Sequence, residues 1–352
     1  MSDFRSDTVT QPTAAMKQAM MDAPLGDDVF GDDPTVNRLQ ETAAGMLGFE
    51  AGLFAPSGTQ TNLIALMTHC QRGDEAIVGQ QWHTYRWEGG GMAVLGSVQP
   101  QPLEHQPDGT IPLAAIEGAI KPDDPHFAKT RLVVMENTTG GKVLPLAYMQ
   151  EVSALAKRRG LRAHIDGARL FNAAVALAEQ DGSDPVAKAR DICSGYDSVS
   201  LCLSKGLGAP VGSVLLGSRE FIQQARRVRK MLGGGMRQAG VLAAAGLHAL
   251  EHHVHRMAED HANARALAAG LAEASTKHAK LEGKLVVHPV QTNILFIDVD
   301  TSLADAFLQH LAQHGIKVTS GVYGTAKRIR WVTHLDVGGG DVERALQVVN
   351  AF

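Results

Sequence analysis

Ser198-Val-Ser-Leu-Cys-Leu-Ser-Lys205-Gly-Leu-Gly-Ala-Pro-Val-Gly212 is the stretch on which the rest of the chain depends. An apolar, β-prone run ends at Ser204-Lys205, and the glycines and proline behind it keep a helix from starting. The lysine is therefore expected at the end of a buried strand, on a backbone too tight to release it to solvent. Such a position disfavours an ammonium and suits an amine that has to lose its proton. A desolvated lysine of this kind forms a Schiff base with a carbonyl. The competing reading is a surface lysine in a β-to-α turn, and the flanking sequence has to separate the two.

Working backwards, Leu161 to Asp166 reads as a strand that ends in an aspartate, followed by Gly167-Ala168-Arg169. Leu132 to Glu136 is another strand, with a helix at about 149–159 between them. Glu75 to Gly79 is a third, leading into the aromatic loop Trp82-His83-Thr84-Tyr85-Arg86-Trp87-Glu88. Gly52 to Ala55 is a fourth, and Pro56-Ser57-Gly58-Thr59 then opens a helix that runs to His69. Val214 to Leu216 adds one more on the far side of the lysine. Unbroken apolar strands alternating with helices predict an α/β fold with a mostly parallel sheet covered on both faces. In such sheets ligand groups collect beyond the carboxyl ends of the strands. Thr59, His83, Asp166 and Lys205 all fall there. A helix N-terminus with Ser57, Gly58 and Thr59 can cradle a phosphate. His83, Tyr85 or Trp87 can lie against a flat ring, although aromatics also simply cover sheet ends. An aspartate can keep a pyridine nitrogen protonated, and a lysine can take an aldehyde. Those four provisions together are what pyridoxal phosphate needs. Gly206-Leu-Gly-Ala-Pro-Val-Gly212 is misspaced for a dinucleotide fingerprint and opens no long helix.

Composition narrows the class. With 352 residues the chain exceeds the size at which one core stops growing, which predicts a large domain and a smaller one. The formal net charge is -4 and no basic stripe appears, which argues against nucleic acid or an anionic membrane as partner. Cys70, Cys193 and Cys202 are scattered without a CxxC, as expected of a reducing compartment. The charged N-terminus does not read as a signal peptide, and no apolar run is long enough for a membrane span. A cytoplasmic location is the resulting expectation.

Toward the N-terminus, residues 1–12 show no periodicity, and helices are expected at about 13–21 and 34–48. The acidic loop Gly26-Asp-Asp-Val-Phe-Gly-Asp-Asp-Pro34 reads as a source of helix caps. Toward the C-terminus, a basic helix at about 221–231 precedes Gly233-Gly-Gly-Met-Arg237. A helical run from about 239 to 271 then serves as a bridge between domains, which are expected at 1–245 and 246–352. His252, His253 and His255 are expected on a solvated helix face, because their spacing does not suit zinc, and no metal is expected. Short strands follow, and Arg330 stands out in the apolar segment Ile329-Arg-Trp-Val332. A buried arginine calls for an anion, either a structural partner or a substrate carboxylate.

The motifs taken together resemble the low-specificity L-threonine aldolases. They are Phe4-Arg-Ser-Asp-Thr-Val-Thr10, the acidic loop 26–34, Pro56-Ser-Gly-Thr-Gln60, His164-Ile-Asp-Gly-Ala-Arg169, Ser204-Lys-Gly-Leu-Gly208, Gly233-Gly-Gly-Met-Arg-Gln238 and Ile329-Arg-Trp-Val-Thr-His334. They span nearly the whole chain in the family's order. The resemblance implies the aspartate aminotransferase-like fold (fold type I of the pyridoxal phosphate enzymes), with a mostly parallel sheet in a large domain and a smaller C-terminal α/β domain. It implies retro-aldol cleavage of threonine, allo-threonine and related β-hydroxy-α-amino acids to glycine and an aldehyde. Homodimeric active sites in a homotetramer, with roles in threonine catabolism and glycine formation, belong to the same expectation. By the same resemblance Lys205 carries the cofactor, Asp166 faces its ring nitrogen and His83 stacks on the ring. Ser57, Gly58, Thr59 and Ser204 hold its phosphate, and Lys230 and Arg237 lie near the site, from this subunit or a neighbour. Arg169 reaches the ring hydroxyl or the substrate carboxylate, and Ser6 and Arg330 fix that carboxylate. His126 matches the family's second active-site histidine, near the β-hydroxyl. His83, His126 or a held water remains open as the base. Tyr85, Trp87, Thr139 and the stretch 181–190 depart from the pattern, which bears on the substrate's side chain. An aminotransferase or a serine hydroxymethyltransferase-like lyase of the same fold is the alternative.

Overall fold

Apolar strands that cannot face water on either side have to share one sheet between two helical layers. The computed structural model describes residues 1–323 and 326–352. In chain order its strands are β1 (Ser2–Asp3), β2 (Ala51–Ala55), β3 (Asp74–Gly79), β4 (Gln99–Leu103), β5 (Lys129–Glu136), β6 (Arg162–Gly167) and β7 (Ser198–Cys202). They continue with β8 (Ser213–Gly217), β9 (Leu285–Val287), β10 (Ile294–Asp300), β11 (Ile316–Lys317), β12 (Thr319–Tyr323) and β13 (Ala326–Val332). The large sheet runs β2-β8-β7-β6-β5-β3-β4. Its neighbours pair in parallel from β4 through β7, and β8 alone reverses, antiparallel to both β7 and β2. The mostly parallel α/β sheet expected from sequence is present. Every strand but β8 therefore ends on the same edge.

The decisive stretch forms a strand, a tight connection and the returning strand. β7 and β8 are buried along their whole length and are joined in register, Cys202 opposite Ser213. Within the connection the Leu203 amide donates to the Gly212 carbonyl at 3.0 Å, and the Gly208 amide to the Lys205 carbonyl at 2.8 Å. Gly208 and Gly212 adopt φ of 77° and 107°. A Cβ at position 212 would lie 2.5 Å from the Phe54 ring, so glycine is required there both for conformation and for space. The lysine is held by backbone, as its sequence context implied.

The smaller unit is a four-stranded antiparallel sheet, β12-β13-β10-β9, with its own core of Leu267, Leu271, Leu295, Phe307 and Trp331. The N-terminal residues, which carry no periodicity, join this unit. β1 pairs in parallel with β11, Ser2 opposite Ile316, and Phe4 is buried edge-on against Trp331 at 5.2 Å. Burying Phe4 contributes roughly 1.5–3 kcal/mol, which fixes where the next residues, Arg5 to Asp7, emerge.

The helical run near 239–271 is two helices, Gly240–His252 and Met257–Lys277. The second packs Met257 into the large core and Leu267 and Leu271 into the small one. In the turn between them His253 is buried, not solvated, because its Nδ1–H donates to the Leu207 carbonyl at 2.7 Å. His252 and His255 are exposed as expected. In the acidic loop Asp33 is the helix cap, accepting from the Thr35 and Val36 amides. Asp28 is instead buried against Arg229 at 2.6 Å, and Asp27 pairs with Arg237 at 3.0 Å. Capping was the right reading for only one of the three.

Candidate active site

Beyond the carboxyl ends of β2, β3, β6 and β7 lies a cavity of about 190 Å3. Ser57, Gly58, Thr59, His83, Asp166, Ser204 and Lys205 line it, which brings together most of the residues singled out from sequence. Asn62, Glu88, Ala168 and Cys202 complete its wall. The volume falls below the roughly 300–1,000 Å3 of a drug-sized pocket and suits a single substituted ring.

Each side chain is placed by a local cause. Helix Gly58–His69 starts directly after β2, and the Ser57 hydroxyl caps it by accepting from the Gln60 amide at 3.2 Å. The first-turn amides of such a helix have no carbonyl partner within it and carry the positive end of its dipole. Trp82 is buried edge-on to His105 at 5.1 Å, with its indole N–H donating to Thr139 Oγ1 at 3.0 Å. It anchors a one-turn helix, His83–Arg86. Within this loop Trp82 covers the sheet end, Trp87 is exposed, and His83 faces the cavity.

His83 is oriented twice over. Its amide donates to Glu136 Oε2 at 2.6 Å and its Nδ1 to Glu88 Oε1 at 2.9 Å. The Glu88 hydrogen bond raises the imidazole's pKa against the opposing effect of burial. Burial in turn raises that of Glu88, and burial together with the Asp166 charge pushes Glu136 up to about 8. With Nδ1 engaged, Nε2 is the ring atom left to meet a ligand. Asp166, at the end of β6, accepts from the Ala168 amide at 3.0 Å and from Asn62 Nδ2 at 2.9 Å. The ligand atoms of His83, Glu88 and Asp166 lie within 4.8 Å of one another, and Asn62 bridges the two carboxylates by donating to both.

A second line of residues leads away from Ala168. Arg169 forms a two-pronged pair with the buried carboxylate of Asp7, both contacts at 2.7 Å. Its fork is thus turned to this chain's own aspartate. Asp7 is held at about 2: burial would raise it, and Arg169 outweighs that. Its carboxylate therefore stabilises the fold above its ordinary pKa of 3.8. That contribution, about 2 kcal/mol, is lost as pH falls from about 4 to about 2. Urea midpoints at pH 6, 4 and 3 should fall more steeply for the native protein than for an Asp7→Asn, Arg169→Met double variant. Parallel slopes would remove this assignment. Beside Asp7, Ser6 Oγ accepts from the Thr8 amide at 3.2 Å, and Arg330 Nη2 donates to the Arg5 carbonyl at 3.0 Å. Arg330 thus reaches the segment that carries Ser6, and neither residue is part of the cavity wall.

Three expected site residues lie elsewhere on this chain. His126 precedes β5, at the sheet edge opposite the cavity, and its exposed ring bonds Asp124 at 2.7 Å. Lys230 is exposed beside a separate cavity of about 230 Å3, and Arg237 is exposed against Asp27. A link from Gln60 Nε2 to the Leu232 carbonyl at 3.3 Å ties that turn to the cradle helix. Asn62, Glu88, Glu136 and Asp7 were not singled out from sequence. Two carried a usable signal: Glu136 ends its strand as Asp166 does, directly opposite it in register, and Asn62 lies one helical turn beyond the cradle.

Comparison with known proteins agrees with the geometry. The family model described as beta-eliminating lyase matches residues 3–302. The low specificity L-threonine aldolase of Escherichia coli K12 is 49% identical over 337 residues, covering 96% of this chain and 95% of that protein. Low-specificity L-threonine aldolase 1 of Arabidopsis thaliana is 45% identical, covering 98% and 94%. Among solved structures, a Leishmania major threonine aldolase superposes with a TM-score of 0.83 at 21% identity, covering 100% of this chain and 99% of its own. A Sphingomonas wittichii serine palmitoyltransferase superposes with 0.74 at 18% identity, covering 99% and 86%. At such identities the superpositions speak for the fold alone.

Proposed function

The chain belongs to the beta-eliminating lyase family and, within it, to the low-specificity L-threonine aldolases, and from that premise we propose how its residues divide the work. The protein is a pyridoxal phosphate-dependent aldehyde-lyase that cleaves L-threonine and related β-hydroxy-α-amino acids between Cα and Cβ, giving glycine and an aldehyde. The observation that carries this reading is the single cavity shared by Lys205, Asp166, His83 and the N-terminus of helix Gly58–His69. Its donor set fits the cofactor: amides and hydroxyls for a phosphate, a carboxylate for a ring nitrogen, an imidazole for a ring face and an amine for an aldehyde.

When bound, the cofactor supplies the sink for the electron pair released from the Cα–Cβ bond. Everything else falls to the chain. Lys205 Nζ is the amine that would hold the cofactor's aldehyde group at the cavity wall. The Ser57–Thr59 turn and Ser204 bind the phosphate. The Asp166 carboxylate holds a proton at the pyridine nitrogen. Arg330 and Ser6 would orient the substrate carboxylate and so fix which bond of the substrate is presented for cleavage. His83 Nε2 takes the β-hydroxyl proton, directly or through a water, while Glu88 steadies the ring at Nδ1. The exposed, distant position of His126 on this chain supports His83 over it.

Exposed Phe30, Trp87, Val94 and Leu95 support assembly with further copies, as a homodimer or homotetramer. Three buried free cysteines support a reducing, cytoplasmic setting. Protein loaded with pyridoxal phosphate should release equal amounts of glycine and acetaldehyde from L-threonine. Turnover that depends on an added keto acid would mark an aminotransferase and overturn the reading. Arg330→Ala should raise the KM for threonine roughly 10–100-fold, the worth of a hydrogen bond to a charged group, with kcat little changed. An unaltered KM would remove Arg330 from the carboxylate site.

A further inference from the structure

A continuous line of polar side chains runs from half-buried His69, at the amino end of the large sheet, through a buried stretch to the cavity. His69 Nε2 lies 2.7 Å from Ser198 Oγ, and Ser198 Oγ lies 2.8 Å from His164 Nδ1. His164 Nε2 lies 3.2 Å from Asn62 Oδ1, and Asn62 Nδ2 reaches both Asp166 Oδ2 and Glu88 Oε1 at 2.9 Å. Ser198, His164, Asn62 and Asp166 are all at most 2 % exposed. Flanking positions on the same strands are filled by Ala163, Ile165 and Val199. Two imidazoles, a hydroxyl and an amide in such a core are costly unless every group is paired.

Chemistry fixes the direction of each bond. Asn62 gives N–H to two carboxylates, so its oxygen must accept. His164 therefore carries its hydrogen on Nε2 and presents a lone pair at Nδ1. Ser198 donates to that lone pair, and its oxygen accepts from His69 Nε2–H. Burial keeps both imidazoles neutral, pushing each down to about 3. All the dipoles then point the same way, toward Asp166 and Glu88.

We propose that His164, held in its Nε2–H tautomer by the Asn62 carboxamide oxygen at one ring nitrogen and the Ser198 hydroxyl at the other, is a positioning residue that acts through Asn62 to hold Asp166 in the orientation that grips the cofactor's ring nitrogen. The proposal rests on the pyridoxal phosphate reading above and extends it to residues that do not touch the ligand. If the hydroxyl is removed, the buried Nδ1 lone pair loses its donor, and the Nε2–H form that supports the Asn62 oxygen loses its advantage over the Nδ1–H form. In the Nδ1–H form Nε2 can only accept, so Asn62 has to turn an N–H toward it and Asp166 is held less firmly.

Two isosteric replacements test this, because they fill the same space and differ only in the hydroxyl. Ser198→Thr should bind pyridoxal phosphate within about twofold of the native enzyme, whereas Ser198→Val should bind it roughly tenfold more weakly, the share of one hydrogen bond to a charged group. Selective 15N-histidine NMR of the native holoenzyme should place the His164 hydrogen on Nε2, a readout that needs no variant to fold. Equal cofactor affinity in the two variants, or a hydrogen on Nδ1, overturns the proposal. Native protein that takes up no pyridoxal phosphate overturns the functional reading, and this one with it. Weakened binding in Ser198→Val but not in Ser198→Thr, beside a native enzyme that binds normally, establishes the relay.

Discussion

Lys205→Ala is expected to fold normally and to cleave L-threonine at least about 10^3-fold more slowly, as for removal of the group that makes the covalent link at a reacting centre. The loop that carries Lys205 takes its shape from the Gly208 and Leu203 backbone bonds and from Gly212, all of which alanine leaves in place. The loss is therefore chemical. Without the Nζ nitrogen the cofactor is held only by its phosphate, ring nitrogen and ring face, and no amine is available to be exchanged for that of the substrate. Borohydride should fix the cofactor to residue 205 of the native enzyme and leave the variant unlabelled. A variant that keeps turnover within tenfold of native would show that some other amine does this work.

The sheet was legible because its signal is local. Unbroken apolar runs ending in Asp166 and Lys205, and a Ser-Gly-Thr turn after a strand, report on their own environment. Strand ends on one edge of a parallel sheet then have to meet. The reversal of β8 was not legible, since direction depends on how tightly the chain turns at Gly208 and Gly212 and not on apolar pattern. Neither was the N-terminal strand. Two residues pairing with β11 across more than three hundred positions leave no periodicity.

Partnership between distant charges was hidden for the same reason. Asp28 and Asp33 look alike in sequence, yet one caps a helix and the other neutralises Arg229 some two hundred residues away. The resemblance has Arg169 reaching the ring hydroxyl or the substrate carboxylate, and within this chain its fork is paired with Asp7. Residue type announces that a charge needs a partner. Only the fold says whether the chain supplies it.

Asp166→Asn should bring the second large loss, a fall in kcat of roughly 10^2–10^3-fold, the range for removing one preorganised electrostatic partner. The native carboxylate accepts from the Ala168 amide with one oxygen and from Asn62 with the other. A carboxamide has a single oxygen, so one buried donor loses its acceptor, and no negative charge remains to keep the ring nitrogen protonated. Cofactor affinity should fall in parallel, which separates this variant from one that merely misplaces substrate. A kcat within threefold of native would refute the role. The same variant also disciplines the relay. Ser198 acts on the cofactor through Asn62, whose amide holds Asp166 and Glu88 together, so Ser198→Val should cost less than Asp166→Asn and add little to it. Two effects that combine additively in the double variant would mean that the serine and the aspartate work independently, and that the buried line between them carries no orientation at all.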